Sequence, residues 1–253
     1  MRNLRDRIQK GEILYGLNVQ ICDPVVAEAA AIEGYDFLRL DACHYPIPSD
    51  KIAHFILAAD SMEIPVIARI DDLELGALLL DYGLTGIMVQ KVQNAEQARK
   101  VVDAYRYYPL GRRNMSKYTR MKKYGRIDDV ESMEVEDRKT IIEIQIEDLE
   151  GLANMDEIFS VPGIDLVCSG RNDLSEALGV PGQTTHPKVL EAEDRIIESA
   201  LKAGLNLQMS PRNQKSAQDF VQKGCRVLTV ARDLECMMNG MQGVLKDRNC
   251  LRK

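Results

Sequence analysis

Thr140-Ile141-Ile142-Glu143-Ile144-Gln145-Ile146-Glu147 and, after a short acidic helical segment, Ile164-Asp165-Leu166-Val167-Cys168-Ser169-Gly170-Arg171-Asn172-Asp173-Leu174-Ser175 decide how this chain folds. Each begins as an apolar, β-branched run, which predicts a strand buried on both faces. Each ends in a carboxylate: Glu147 closes the first, and Asp173 follows Gly170 just past the second. Strands joined by a helix usually lie side by side and parallel, roughly 5 Å apart. Glu147 and Asp173 are therefore expected at one rim, where paired oxygens can hold a hard divalent cation and leave room for water and substrate.

Outward from this stretch the same unit repeats. Further strands are predicted at Leu14–Val19, Asp36–Leu40, Pro65–Ala68, Gly86–Val89, Leu205–Met209 and Arg226–Val230. Helical patterns separate most of them. Asp23 is expected to cap a helix that starts at Pro24, Ser49 and Asn94 to cap two others, and Gly83 to end a fourth. A last helix is expected over about Leu234–Lys246. The segment from Pro109 to Lys139 reads as irregular and strongly basic, either a solvated loop or a lid that carries Arg113 over an anionic substrate.

Strands alternating with helices imply a parallel sheet. Eight units in 253 residues imply a single closed (β/α)8 TIM barrel spanning 1–253, with an extra C-terminal helix. Neither the Rossmann glycine fingerprint nor a P-loop occurs. A barrel places its active site at the C-terminal rim of the strands. Those ends carry Asp41 and His44, Arg69, Gln90 and Lys91, Gln145 and Glu147, Asp173, and Arg232.

Composition narrows the function class. A net charge of −6 and the absence of tryptophan argue against nucleic-acid binding. No apolar run reaches the roughly 18 residues of a membrane span, and the N-terminus lacks the apolar core of a signal peptide. The six cysteines show no metal-finger spacing and are expected to be reduced thiols of a cytoplasmic protein. Cys43 beside His44 suggests a nucleophilic dyad, but neighbours in sequence rarely meet in that geometry. Lys91 suggests a Schiff base, which would require burial.

Taken in order, Leu40-Asp41-Ala42-Cys43-His44, the strand into Arg69, Val92-Gln93-Asn94-Ala95, the strand carrying Gln145 and Glu147, and Gly170-Arg171-Asn172-Asp173-Leu174-Ser175 resemble the HpcH/HpaI aldolases. These are class II, metal-dependent pyruvate aldolases of the phosphoenolpyruvate/pyruvate barrel superfamily. The resemblance covers nearly the whole chain. It implies a carbon–carbon lyase that joins or separates a pyruvate enolate and an aldehyde. It implies Glu147 and Asp173 as ligands of Mg²⁺, Mn²⁺ or Co²⁺, Arg69 as the cation at the enolate and keto oxygen, and His44 as the acid/base group, oriented by Asp81. Gln145, Gly170, Asn172 and Asp173 would hold the 2-oxo acid. It also implies a homohexamer, a trimer of dimers with swapped C-terminal helices.

Three positions depart from the family pattern. Cys43 stands where a glutamate usually precedes the histidine, Arg171 where a proline is usual, and Gln90-Lys91 where Pro-Met is usual. Arg171 and Lys91 suggest a more anionic substrate, with Arg171 among the substrate contacts. They also keep two alternatives open: a synthase joining an oxaloacetate- or pyruvate-derived enolate to another electrophile, and a ligand-binding relative with impaired catalysis.

Overall fold

Eight parallel strands pair in sequence order, β1 with β2 through β7 with β8, and β8 closes on β1. A computed structural model describes residues 3–248, the side chain of Asp247 excepted. Its order is α1 (Leu4–Gln9), β1 (Leu14–Val19), α2 (Pro24–Ile32), β2 (Phe37–Asp41), α3 (Ser49–Ser61), β3 (Val66–Arg69), α4 (Leu73–Tyr82), β4 (Gly86–Val89), α5 (Ala95–Tyr105) and α6 (Asp129–Lys139), continuing with β5 (Ile141–Ile146), α7 (Leu149–Ala153), α8 (Met155–Phe159), β6 (Leu166–Ser169), α9 (Arg171–Ala177), α10 (Pro187–Lys202), β7 (Asn206–Met209), α11 (Gln214–Gln222), β8 (Val227–Arg232) and α12 (Asp233–Arg248). All eight expected strands form, as a (β/α)8 barrel with an added C-terminal helix.

The local signals act as the sequence implies, with one exception. Asp23 caps α2 through the Val25 N–H, Asn94 caps α5 through the Gln97 N–H, and Gly83 ends α4 at φ 111°. Ser49 does not cap α3: Pro48 holds that position without a side-chain hydrogen bond, and Ser49 is the first helical residue.

The barrel interior is layered. Alternate residues of a strand point inward, so Phe37, Arg39 and Asp41 of β2 climb from floor to rim. The floor is apolar: Leu14, Phe37, Ile67, Ile141, Leu166 and Val227 pack with Leu4 and Ile8, by which α1 closes the bottom. Gly16 makes space there, because a Cβ would run into the Phe37 ring. Burying Leu4 and Ile8 contributes about 3–5 kcal/mol.

Above the floor lies a polar layer. Arg39 Nη1 donates to Gln208 Oε1 at 2.7 Å, and Gln208 Nε2 donates to Thr229 Oγ1 at 2.7 Å. Arg39 Nη2 is 3.4 Å from the fully buried Glu143 carboxylate. The active-site rim stands on this layer.

The basic segment is in part the solvated loop expected, with Arg112, Lys117, Lys123 and Arg126 exposed on an irregular stretch, but two features differ. Residues 129–139 form α6, capped by Asp128. Arg113 and Lys122 are buried. Arg113 binds Asp81 and Glu136 and lies 4.8 Å over the Tyr107 ring, and Tyr107 Oη donates to Glu136. Arg113 is thus a tie between α4, the segment after α5, and α6. It is not a lid residue, because both carboxylates that hold it belong to the barrel's helical shell.

The five described cysteines are free, and Cys250 lies outside the described residues. Among the described residues no helix is long and apolar enough to cross a membrane.

Candidate active site

The rim encloses a cavity of about 690 Å³. Asp41, His44, Arg69, Gln145, Gly170, Arg171, Asn172 and Asp173 all line it, so the candidate residues from β2, β3, β5 and β6 converge. Asp81 and Glu147 are not among the lining residues; Glu147 is buried behind Gly170 and Asp173.

β5 and β6 pair with Gln145 opposite Cys168 and Ile146 opposite Ser169. The Gly170 N–H donates to the Ile146 carbonyl at 3.0 Å, which extends the register one step and sets Gly170 beside Glu147. A Cβ at Gly170 would meet Glu147 Oε2, Glu147 Cβ and Gln145 Nε2, so only glycine leaves these two side chains their places. Asp173 follows in the first turn of α9 and brings its carboxylate against that of Glu147.

Glu147 is 4% exposed, and burial followed by the Asp173 charge pushes its pKa up to about 7, against the pull of Arg69 and Lys91. Glu147 Oε2 and Gln145 Oε1 are buried acceptors without a donor. A buried acceptor without a partner is costly. Two facing carboxyls and an amide oxygen, with one Glu147 oxygen and the Gln145 oxygen lacking a donor, suit a hard cation. Among the described residues no third His, Cys, Asp or Glu joins the pair, which leaves other ligand positions to water or substrate. The residues present fit a divalent metal.

His44 follows an Asx turn. The Asp41 carboxylate accepts the backbone N–H groups of Cys43 and His44 at 3.2 and 3.1 Å, which bends the chain at the end of β2 and brings the ring back onto the same carboxylate. His44 Nδ1 lies 3.0 Å from Asp41 Oδ2. Burial works against charge on Asp41, but the His44 backbone and ring, with Arg69 behind them, hold its carboxyl below the usual value. With the Nδ1 proton directed to Asp41, Nε2 keeps the free lone pair.

The expected orientation of His44 by Asp81 is therefore corrected. Asp81 sits late in α4 and is held by Arg113, while Asp41 partners His44. The signal was present in the spacing Asp-x-x-His, which lets an aspartate reach both the backbone and the side chain three residues on.

Arg69 ends β3. Its Nη2 donates to Gln90 Oε1, and Gln90 Nε2 donates to Asp71 at 2.6 Å, so Gln90 props the guanidinium. Arg69 Nη1 lies 3.3 Å from His44 Nδ1 and 3.9 Å from Asp41.

The departures from the family pattern resolve individually. Arg171 does not offer a free charge: its Nε and Nη2 donate to Glu193 at 2.8 and 2.6 Å, and it stacks over Phe220. Lys91 is exposed in a left-handed conformation, φ 56°, without the burial that a Schiff-base lysine needs. Burial, with Asp71 beside it, pushes the Cys43 thiol up to about 12, so a thiolate nucleophile is not formed there.

Residues 14–240 match the HpcH/HpaI aldolase/citrate lyase family model. The chain is 32% identical over 245 residues to hydroxypyruvate/pyruvate aldolase of Pseudomonas aeruginosa, covering 96% of this chain and 91% of that protein. It is 36% identical over 213 residues to 2-keto-3-deoxy-L-rhamnonate aldolase of Escherichia coli K12, covering 82% of this chain and 79% of that protein. Among solved structures, citrate synthase SbnG superposes with a TM-score of 0.89 at 28% identity, covering 97% of this chain and 96% of SbnG. An HpcH/HpaI aldolase from Desulfitobacterium hafniense DCB-2 superposes with a TM-score of 0.90 at 26% identity, covering 97% and 96%. The barrel, its rim and these matches agree: the chain belongs to the HpcH/HpaI aldolase/citrate lyase family.

Proposed function

We propose that this protein is a divalent-metal-dependent carbon–carbon lyase that makes or breaks the bond between C3 of pyruvate and an aldehyde carbon. The observation that carries the reading is the pair of facing carboxyls, Asp173 on the cavity wall and Glu147 buried against it, with the orphaned Gln145 oxygen, in a cavity that Arg69 and the His44–Asp41 pair also line. Aldolase relatives identical at 32% and 36% support it.

Glu147 and Asp173, with Gln145 beside them, would hold a divalent cation, which would supply Lewis acidity to the oxygens of a 2-oxo acid. The backbone of 170–173 opens α9 beside the carboxylates and suits the acid's carboxylate. Arg69 places fixed positive charge where the keto oxygen gains electron density, held ready by Gln90. His44 Nε2 takes the proton of the C4 hydroxyl during cleavage and returns it to the aldehyde oxygen during synthesis, while Asp41 stabilises the charged ring. The proton removed from C3 in the synthetic direction is restored there in cleavage, so the reaction balances without a redox partner.

A synthase reading is favoured by one observation, the likeness to citrate synthase SbnG. It keeps the enolate half and replaces the aldehyde by another electrophile. We further infer an oligomer of this chain acting in the cytoplasm. The apolar side chains Met237, Met238, Met241, Val244 and Leu245 are exposed on α12, a surface that suits burial against a second copy.

The experiment is methyl deuteration of pyruvate in D₂O, with metal-stripped protein and protein loaded with Mg²⁺ or Mn²⁺. Metal-dependent exchange is expected. Pyruvate binding without exchange under any metal would remove the enolate reading. Addition of an aldehyde or of an alternative electrophile to exchanging enzyme then separates aldolase from synthase.

A further inference from the structure

The cavity is longer than its enolate end. Next to the carboxylates, beyond β6, its wall is formed by the ends of β7 and β8 and the first turns of α12. Two arginines stand there, Arg212 and Arg232, both exposed to the cavity. Every other arginine of the cavity lies with a carboxylate: Arg39 with Glu143, Arg69 with Asp41, Arg171 with Glu193. Among the described residues neither Arg212 nor Arg232 has an ion-pair or side-chain hydrogen-bond partner.

Their backbones are nevertheless fixed. The Arg212 N–H donates to Ser216 Oγ at 2.9 Å, next to the capping box that starts α11. Arg232 ends β8 opposite Asn18 of β1. The next residue, Asp233, accepts the Gln20 and Ile21 N–H groups at 3.0 and 2.8 Å, which locks the start of α12 to the end of β1. Two guanidinium groups on anchored positions thus face the cavity with unspent charge. The acidic residue on this wall is Glu235. The neutral side chains of Asn18 and Ser210 add hydrogen-bonding capacity. A guanidinium fork matches a carboxylate or phosphate in geometry as well as charge.

We propose that Arg212 and Arg232 form an oxyanion-binding subsite for the second reactant, so that the aldehyde joined to or released from pyruvate carries a carboxylate or a phosphate at its far end. This rests on the enolate reading above, which assigns the β5–β6 end to pyruvate and leaves the β7–β8 wall to its partner. It also relocates the specificity for anions: Arg171, bound to Glu193, does not provide it.

The test compares initial rates of addition to pyruvate for succinic semialdehyde (carboxylate), glyceraldehyde 3-phosphate (phosphate), and the neutral butanal and glyceraldehyde. The wild type is expected to favour one charged aldehyde over its neutral counterpart by about tenfold or more in kcat/KM, the size of one charge-assisted hydrogen bond. Whichever charged arm wins names the anion. The preference, a ratio within each variant from which general damage cancels, is expected to fall about tenfold in Arg212→Gln and Arg232→Gln and to be partly retained in Arg232→Lys. Equal use of neutral aldehydes, or a preference that neither glutamine variant moves, overturns the subsite. The deuteration experiment reports the enolate half without an acceptor, so the two failures are distinct. If exchange is absent, titration with inorganic phosphate and with succinate decides: weakening in the double glutamine variant supports the subsite, and undetectable or unaltered binding overturns it.

Discussion

Glu193, buried in the middle of α10, accepts two hydrogen bonds from the Arg171 guanidinium at the start of α9, at 2.8 and 2.6 Å. The same carboxylate accepts the Ser169 hydroxyl at 2.6 Å, so it ties the end of β6, the turn carrying the site and the outer helix together. Arg171 is therefore scaffold. Glu193→Ala is expected to lower unfolding free energy by about 2–3 kcal/mol, because it strands a partly buried guanidinium. Urea unfolding measures this. Arg171→Met should leave the ratio of charged to neutral aldehyde use within about twofold; a collapse of that ratio would return Arg171 to the substrate.

Two aspartates separate orientation of the histidine from support of the fold. Asp41 touches His44, whereas Asp81 touches Arg113. Asp41→Asn can no longer hold the Nδ1 proton as a charged acceptor, and kcat for aldol cleavage is expected to fall about 10²-fold or more. The KM for the 2-oxo acid substrate should change by less than about threefold. Asp81→Asn should lower stability by about 1–3 kcal/mol and spare kcat of the folded enzyme. The reverse pattern in steady-state kinetics and thermal melts would restore Asp81 as the orienting group.

These two aspartates also show what was readable in the chain. All strands were legible because barrel strands are short continuous apolar runs punctuated by caps such as Asp23 and Asn94. The convergence of Asp173, Arg69 and His44 on one cavity followed from strand ends alone, since a barrel collects them at one rim, and Glu147 lies buried beside Asp173. Residues 129–139 did not read as a helix because α6 buries Ser132, whose hydroxyl donates to the Asp129 carbonyl, and Glu136, paired with Arg113, and so lacks an apolar stripe. Arg171 and Arg113 read as free cations for a related reason. Their carboxylate partners, Glu193, Asp81 and Glu136, are distant in sequence, and only the packed helices bring them together.

Gly170 allows a test of the metal site without removing a ligand. The methyl of Gly170→Ala would press on Glu147 at both Cβ and Oε2, so the carboxylate cannot simply rotate away. Stability should fall by about 1–3 kcal/mol. Mn²⁺ affinity, read by paramagnetic resonance or calorimetry, should fall about tenfold or more, since ligand placement within a fraction of an ångström sets affinity. Unchanged Mn²⁺ affinity in a folded Gly170→Ala protein would remove Glu147 from the metal site.

The polar layer beneath the site invites a double-mutant cycle. Glu143 is fully buried, Arg39 is nearly so, and the Cys168 thiol lies beside the Glu143 carboxylate. At 3.4 Å the pair is held by charge on that side, with Gln208 supporting Arg39. Removing one member leaves an uncompensated buried ion, so Arg39→Met and Glu143→Met are each expected to destabilise by about 3 kcal/mol. The double variant removes both buried charges but leaves Gln208 Oε1 without its donor, so it should lie within about 2 kcal/mol of wild type, a coupling of about 4 kcal/mol between the two sites. Chemical denaturation of the four proteins measures it. Additive losses would show that the two charges stabilise the barrel independently, against their pairing. The layer also sits one inward step below Gln145 on β5, so its removal tests positioning. If the double variant folds yet loses metal affinity, the ion pair holds the carboxylate rim in place; if affinity is kept, the rim is set by β5–β6 register and Gly170 alone.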